Sequence, residues 1–173
     1  MKTENKVSLE QVLWSREKRV ATQKELLEKY PGTLICFMLN IPGPEKVNEL
    51  FEKVFYEGLE KIQNKLETEK ISTEVRLVQE NITGYEGYLV VKADGCQVKK
   101  LMIALEETKI GRLYDIDVLE KENTKISRKD LGFPERKCLL CDNPEAAENP
   151  DRGTIAAFWV LLDFEKPIVF HTS

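Results

Sequence analysis

Residues 33–39, Thr-Leu-Ile-Cys-Phe-Met-Leu, constrain the fold of this chain more than any other segment. An unbroken apolar run of that length suits a strand covered on both faces, so it calls for the middle of a sheet with helices packed on it. The flanking sequence supplies candidate covers. Ser8 followed by Gln11 makes a capping box, and Val12, Leu13, Val20, Leu27 and Tyr30 then recur at helical spacing until Pro31-Gly32 stops the helix. Arg16 and Arg19 fall in the same stripe. Arginines on an inward face need partners, because an unpaired buried charge is costly.

After the apolar run, Ile41-Pro42-Gly43-Pro44 turns the chain, and Pro44 suits the first turn of a second helix. That helix gathers Val47, Leu50, Phe51, Val54, Phe55, Leu59, Ile62 and Leu66 on one face. Residues 73–79 and 83–92 read as a hairpin. Asp94-Gly95 opens a third helix with a stripe of Val98, Leu101, Met102 and Leu105, and Gly111 marks its exit. Residues 113–119 and 124–127 read as two further strands joined by a turn at Glu122-Asn123. Hairpin strands interleaved with helices imply an α+β fold with a mixed or antiparallel sheet.

The chain has 173 residues, the size of one domain. Its 26 basic and 30 acidic residues give a net charge of −4, which argues against general nucleic-acid binding. No stretch approaches the ~18 to 20 apolar residues of a membrane span. The four cysteines, Cys36, Cys96, Cys138 and Cys141, come with no secretory signal and read as reduced thiols of a cytoplasmic protein. The single histidine, His171, leaves little room for histidine-based nucleophilic or metal chemistry. Catalysis here falls to carboxylates and arginines.

The segment Gly111-Arg112-Leu113-Tyr114-Asp115-Ile116-Asp117-Val118-Leu119 offers both. In a strand Asp115 and Asp117 share a face, about 6.6 Å apart along the backbone, while Tyr114, Ile116 and Val118 take the other. Such a pair can share a magnesium ion that neutralises a triphosphate. Taken alone, Asp-x-Asp is a weak signal and reads more readily as two acids on the wet face of a strand. Arg112, Arg128, Arg16 and Arg19 are the candidate phosphate contacts, against ordinary surface ion pairing. The lone Cys138-Leu139-Leu140-Cys141 lacks nearby further ligands and reads as packing more readily than as a zinc or redox site. Ser15, Ser127 and Ser173 have no neighbouring base in sequence.

Five segments in order resemble the apo-citrate lyase phosphoribosyl-dephospho-CoA transferase (holo-citrate lyase synthase) family. They are Trp14-Ser15-Arg16-Glu17-Lys18-Arg19, Ile41-Pro42-Gly43-Pro44, Gly111 to Val118, Ile126-Ser127-Arg128-Lys129-Asp130 and Pro134-Glu135-Arg136-Lys137-Cys138-Leu139-Leu140-Cys141. The resemblance implies transfer of the 2′-(5″-triphosphoribosyl)-3′-dephospho-CoA precursor to a serine of the acyl carrier (gamma) subunit of citrate lyase, with release of pyrophosphate. It implies nucleotidyl transfer, and the residue reading fits this with Asp115 and Asp117 expected to hold Mg2+ and Arg112, Arg128, Arg16 and Arg19 expected to meet the phosphates. The Asp-x-Asp strand is also similar to that of polymerase-β-type nucleotidyltransferases, whose Gly-Ser helix signature is not evident here. The expected organisation is a catalytic α+β domain over residues 1–145 and an atypical tail over 146–173, where the family's further cysteine, basic cluster and histidine do not follow. Two alternatives stand beside this reading: a nucleotidyltransferase serving another carrier, such as that of malonate decarboxylase, and a non-catalytic interaction module whose acids and arginines only form salt bridges.

Overall fold

Residues 33–39 do form the central strand. The structure is a computed structural model that describes residues 7–41 and 45–136. In chain order it contains α1 (Leu9–Lys29), β1 (Thr33–Leu39), α2 (Glu49–Thr68), β2 (Thr73–Asn81), β3 (Gly84–Val91), α3 (Gly95–Glu106), β4 (Tyr114–Glu120) and β5 (Thr124–Lys125). The sheet order is β2-β3-β1-β4-β5, antiparallel at each pairing. The α+β class with an antiparallel sheet is therefore as expected. Leu34, Ile35, Cys36 and Phe37 of β1 are all fully buried, because helices cover both sides. Leu34 and Cys36 pack with Leu26 of α1, Tyr88, Val90 and Leu119. The alternate residue Phe37 stacks on Phe55 of α2 at 5.1 Å and meets Tyr114 edge-on at 5.2 Å. Gly58 lets α2 come this close, since a Cβ there would lie 2.6 Å from the Phe37 ring.

Three expectations need correction. The second helix starts at Glu49 rather than near Pro44, because Asn48 is its cap: the Asn48 side chain accepts from the Phe51 N–H at 2.9 Å. Pro42 to Pro44 lie outside the described residues. The returning strand ends at Lys125. Beyond it, Asp130 accepts from the Ser127 N–H at 2.9 Å and from the Ser127 hydroxyl at 2.6 Å, and this local turn competes with the sheet ladder.

The third correction concerns α1. Its buried residues are Ser15, Gln23 and Leu26, whereas Leu13 and Val20 are exposed. Arg19 is half-buried and Arg16 is exposed. The helix turns a polar edge inward because the sheet face beneath it is itself polar, carrying Glu86 and the Tyr88 hydroxyl.

β5 pairs only with Leu119 and Glu120, so the outer edge of β4 needs other partners. Side chains provide them. The Ile116 N–H donates to Glu106 at 3.0 Å, and buried Lys99 donates to the Ile116 carbonyl at 2.8 Å. Arg136 donates to the Tyr114 carbonyl at 2.5 Å and to that of Arg112 at 2.8 Å. The turn that feeds β4 passes so near the end of α3 that a Cβ on Gly111 would fall 1.8 Å from the Leu105 carbonyl oxygen. Gly111→Ala is therefore expected to lower stability by about 1–3 kcal/mol or more, as overpacking against backbone does. Denaturant unfolding checks it, and an unchanged midpoint would count against this packing.

Candidate active site

The antiparallel register sets out the polar face of the sheet in rows. Met38 of β1 pairs with Glu86 of β3 on one side and Asp115 of β4 on the other. Cys36 likewise pairs with Tyr88 and Asp117. Paired residues share a face, so Glu86 and Asp115 flank Met38 beneath α1, with Tyr88, Cys36 and Asp117 in the next row. Between α1 and these strands is a cavity of ≈ 180 Å³. Its lining includes Ser15, Arg16 and Arg19 from α1, Asn40 after β1, Lys46, Thr83 to Glu86, and Asp115.

Three of the candidate residues thus meet at one cavity: Arg16, Arg19 and Asp115. Asp117 follows Asp115 on the same face and pairs with Lys125 at 2.6 Å. Neither Arg112 nor Arg128 belongs to the cavity lining. Arg112 sits half-buried in the 3-10 turn Ile110–Leu113. Arg128 is largely buried and pairs with Glu106 at 2.9 Å. Glu106 in turn grips the peptide between the two aspartates through the Ile116 N–H, so α3 and Arg128 support the aspartate strand from its edge.

The arginine partner that helix spacing demanded is Glu86, only 3% exposed. Arg19 reaches one Glu86 oxygen through Nε at 2.9 Å and Nη2 at 2.7 Å. The Tyr88 hydroxyl donates to the other at 2.6 Å. Ser15 donates to Glu86 at 3.5 Å and accepts from Thr83 at 2.8 Å. Burial pulls the Arg19 pKa down, but the Glu86 charge and hydrogen bond outweigh it and leave the guanidinium above its ordinary value. Burial pushes the Cys36 thiol up to about 12, so it stays protonated and is no nucleophile. Glu86 is already engaged by Arg19 and Tyr88, which leaves Ser15 without a free base.

Asp115 is raised above the usual carboxylate range, first by burial and then by the neighbouring Asp117 charge. A carboxylate pair crowded this way is stabilised by a cation. Among the described residues no group of three or more His, Cys, Asp or Glu forms a metal cage. Two carboxylates nevertheless suit magnesium, which retains waters and takes phosphate oxygens to complete its octahedron. Asp115 and Asp117 therefore fit that ion. Cys138, Cys141 and His171 lie outside the described residues.

Sequence reasoning missed Glu86, the contact that Ser15 makes with it, and Lys46. The first two left a trace: Ser15, Arg19 and Gln23 recur every four residues, and Glu86 and Tyr88 share a strand face. Lys46 precedes α2 in a segment with no period to read.

A family model described as apo-citrate lyase phosphoribosyl-dephospho-CoA transferase matches residues 7–149. A Streptococcus pyogenes serotype M18 protein named "Probable apo-citrate lyase phosphoribosyl-dephospho-CoA transferase" is 40% identical over 140 residues, covering 78% of this chain and 72% of that protein. The Escherichia coli O1:K1 protein named apo-citrate lyase phosphoribosyl-dephospho-CoA transferase is 33% identical over 141 residues, 81% of this chain and 77% of its own length. Protein CitXG of Haemophilus influenzae is 36% identical over 138 residues, 79% of this chain and 30% of that longer protein. These relatives make the chain a transferase. It belongs to the apo-citrate lyase phosphoribosyl-dephospho-CoA transferase family.

Proposed function

We propose that this chain transfers the 2′-(5″-triphosphoribosyl)-3′-dephospho-CoA precursor to a serine of the acyl carrier subunit of citrate lyase. The observation that carries the reading is the convergence of Arg16 and Arg19 with Asp115 at one cavity, beside Asp117, in a member of this family. Asp115 and Asp117 would hold Mg2+, which when bound would neutralise charge on the donor phosphates. Arg16 and Arg19 bind phosphate oxygens, Arg19 in the orientation that Glu86 imposes. Arg112, at the entry to β4, is a further contact for the extended donor. Arg128 acts with Glu106 to hold the aspartate strand in place. Lys99 holds the next peptide through the Ile116 carbonyl.

The carrier serine oxygen bonds to the α-phosphorus as the bond from that phosphorus to the bridging oxygen of the β-phosphate breaks. Pyrophosphate leaves with that electron pair, and the serine hydroxyl proton is released. Among the described residues no helix is long and apolar enough to cross a membrane. The free Cys36 and Cys96 suit the reducing cytoplasm in which we place the reaction.

Incubation of the chain with donor, Mg2+ and apo-carrier subunit is expected to add the prosthetic group to the carrier serine, seen by intact-mass spectrometry, with one pyrophosphate released per carrier. An unmodified carrier would refute the assignment.

A further inference from the structure

The donor of the proposed transfer is linear, with bulky dephospho-CoA at one end and a free triphosphate terminus at the other. The cavity between α1 and the sheet is ≈ 180 Å³, below the roughly 300–1,000 Å³ of pockets that enclose a drug-sized ligand. A cavity of this size suits a small terminal group of such a molecule, and its charges select which. The charge of Arg19 is matched by Glu86. Lys46, half-buried in the same lining, forms no ion pair among the described residues; its ammonium donates to the neutral Ile41 carbonyl. Burial alone pulls its pKa down, with no carboxylate acting against it. A cation held this way is stabilised when an anion enters beside it. It lies just ahead of the Asn48 cap of α2 and so reaches the cavity from a different element than the α1 arginines.

We infer that this cavity is the leaving-group subsite of the enzyme, holding the β- and γ-phosphates of the donor and then pyrophosphate, with Lys46 as a phosphate contact. The inference rests on the transfer reading above and adds an orientation to it. The terminal phosphates lie against Lys46 and the α1 arginines, and the α-phosphorus lies beside Asp115, where the serine of a protein substrate meets it. The opposite orientation would carry the terminal phosphates away from Lys46, Arg16 and Arg19. The bond broken in transfer, between the α-phosphorus and the oxygen bridging to the β-phosphate, then lies beside Asp115. Arg16, exposed on α1, meets the same phosphates from the rim.

Isothermal titration calorimetry of the full chain with inorganic pyrophosphate and Mg2+ tests this. Lys46→Met is expected to weaken pyrophosphate about tenfold or more, the scale of one lost charge-assisted hydrogen bond. Lys46→Arg should restore most of the affinity. Excess dephospho-CoA, which lacks the triphosphate, should leave pyrophosphate binding unchanged. The subsite is overturned if wild-type protein does not bind pyrophosphate, if Lys46→Met binds it equally well, or if dephospho-CoA displaces it. Should Lys46→Met lower the melting temperature, Lys46→Gln, which keeps a donor for the Ile41 carbonyl, replaces it with the same expected outcome. The mass assay on apo-carrier separates the two readings. Modified carrier with no pyrophosphate site refutes the subsite alone, whereas Lys46-dependent pyrophosphate binding without carrier modification refutes the transfer and leaves the polyphosphate site standing.

Discussion

Asp115→Asn is expected to abolish transfer and, in the same variant, to make the metal-free protein more stable. Loss of one magnesium-holding carboxylate removes charge stabilisation from the transition state, on the order of 10²-fold or more in kcat/KM. Asp117→Asn should do the same to activity. The stability gain follows from the direction of the Asp115 pKa, which burial and then Asp117 raise above the ordinary value of 3.8. A raised folded-state pKa means that the folded protein disfavours the ionised form. At neutral pH the wild type carries that penalty and the asparagine variant does not. As pH falls through the raised folded-state value toward 3.8, the wild type takes up its proton and the gap between the two proteins closes. Thermal melts in chelator across pH 4 to 8 read the gap, and steady-state transfer with Mg2+ supplied reads the activity. Near-normal transfer by both variants would refute the mechanism, and an asparagine variant less stable than wild type at neutral pH would refute the electrostatic account. Such opposition between stability and activity is expected where a site concentrates like charge.

Glu86→Ala is expected to be the most damaging single change to the fold. It leaves the Arg19 guanidinium without its counter-charge and the buried Tyr88 hydroxyl without an acceptor. Breaking a buried ion pair from one side costs about 3–5 kcal/mol. Arg19 retains 21% side-chain exposure, so the lower end of that range applies. Glu86→Gln keeps an acceptor but not the charge, and should be milder in stability while still raising KM for the donor, because Arg19 is no longer fixed toward the cavity. Guanidinium unfolding paired with donor kinetics distinguishes a positioning role from a purely structural one. A glutamine variant with wild-type KM would remove the positioning role, and an alanine variant within about 0.5 kcal/mol of wild type would remove the structural one.

Much of the fold was legible because its strongest signals are local. The run from Thr33 to Leu39 identified a strand buried on both faces, and Asp94 and Ser8 marked the helix starts that the structure uses. The errors came where a competing local cap or turn, or a tertiary partner, outweighed the pattern that was read. Pro44 suits a first helical turn, yet Asn48 captures the Phe51 N–H and starts α2 later. In α1 the apolar residues form the more conspicuous stripe, but Leu13 and Val20 face solvent, because the sheet offers that helix a carboxylate and a phenol to bind.

The candidate site divides along the same line. Alternation along a strand was enough to put Asp115 and Asp117 on one face and Tyr114, Ile116 and Val118 in the core, since side-chain direction in a strand depends only on parity. The order of the motifs was enough to indicate the family. Which arginines meet those aspartates was decided by the tertiary structure alone. Arg128 follows β5 in sequence yet is drawn to Glu106, while Arg16 and Arg19, about a hundred residues earlier, line the cavity with Asp115. Glu86 and Lys46 joined the site in the same manner. Charge pairing acts through space between elements that the chain order keeps apart, so strand register and helix docking, rather than any local pattern, chose the partners.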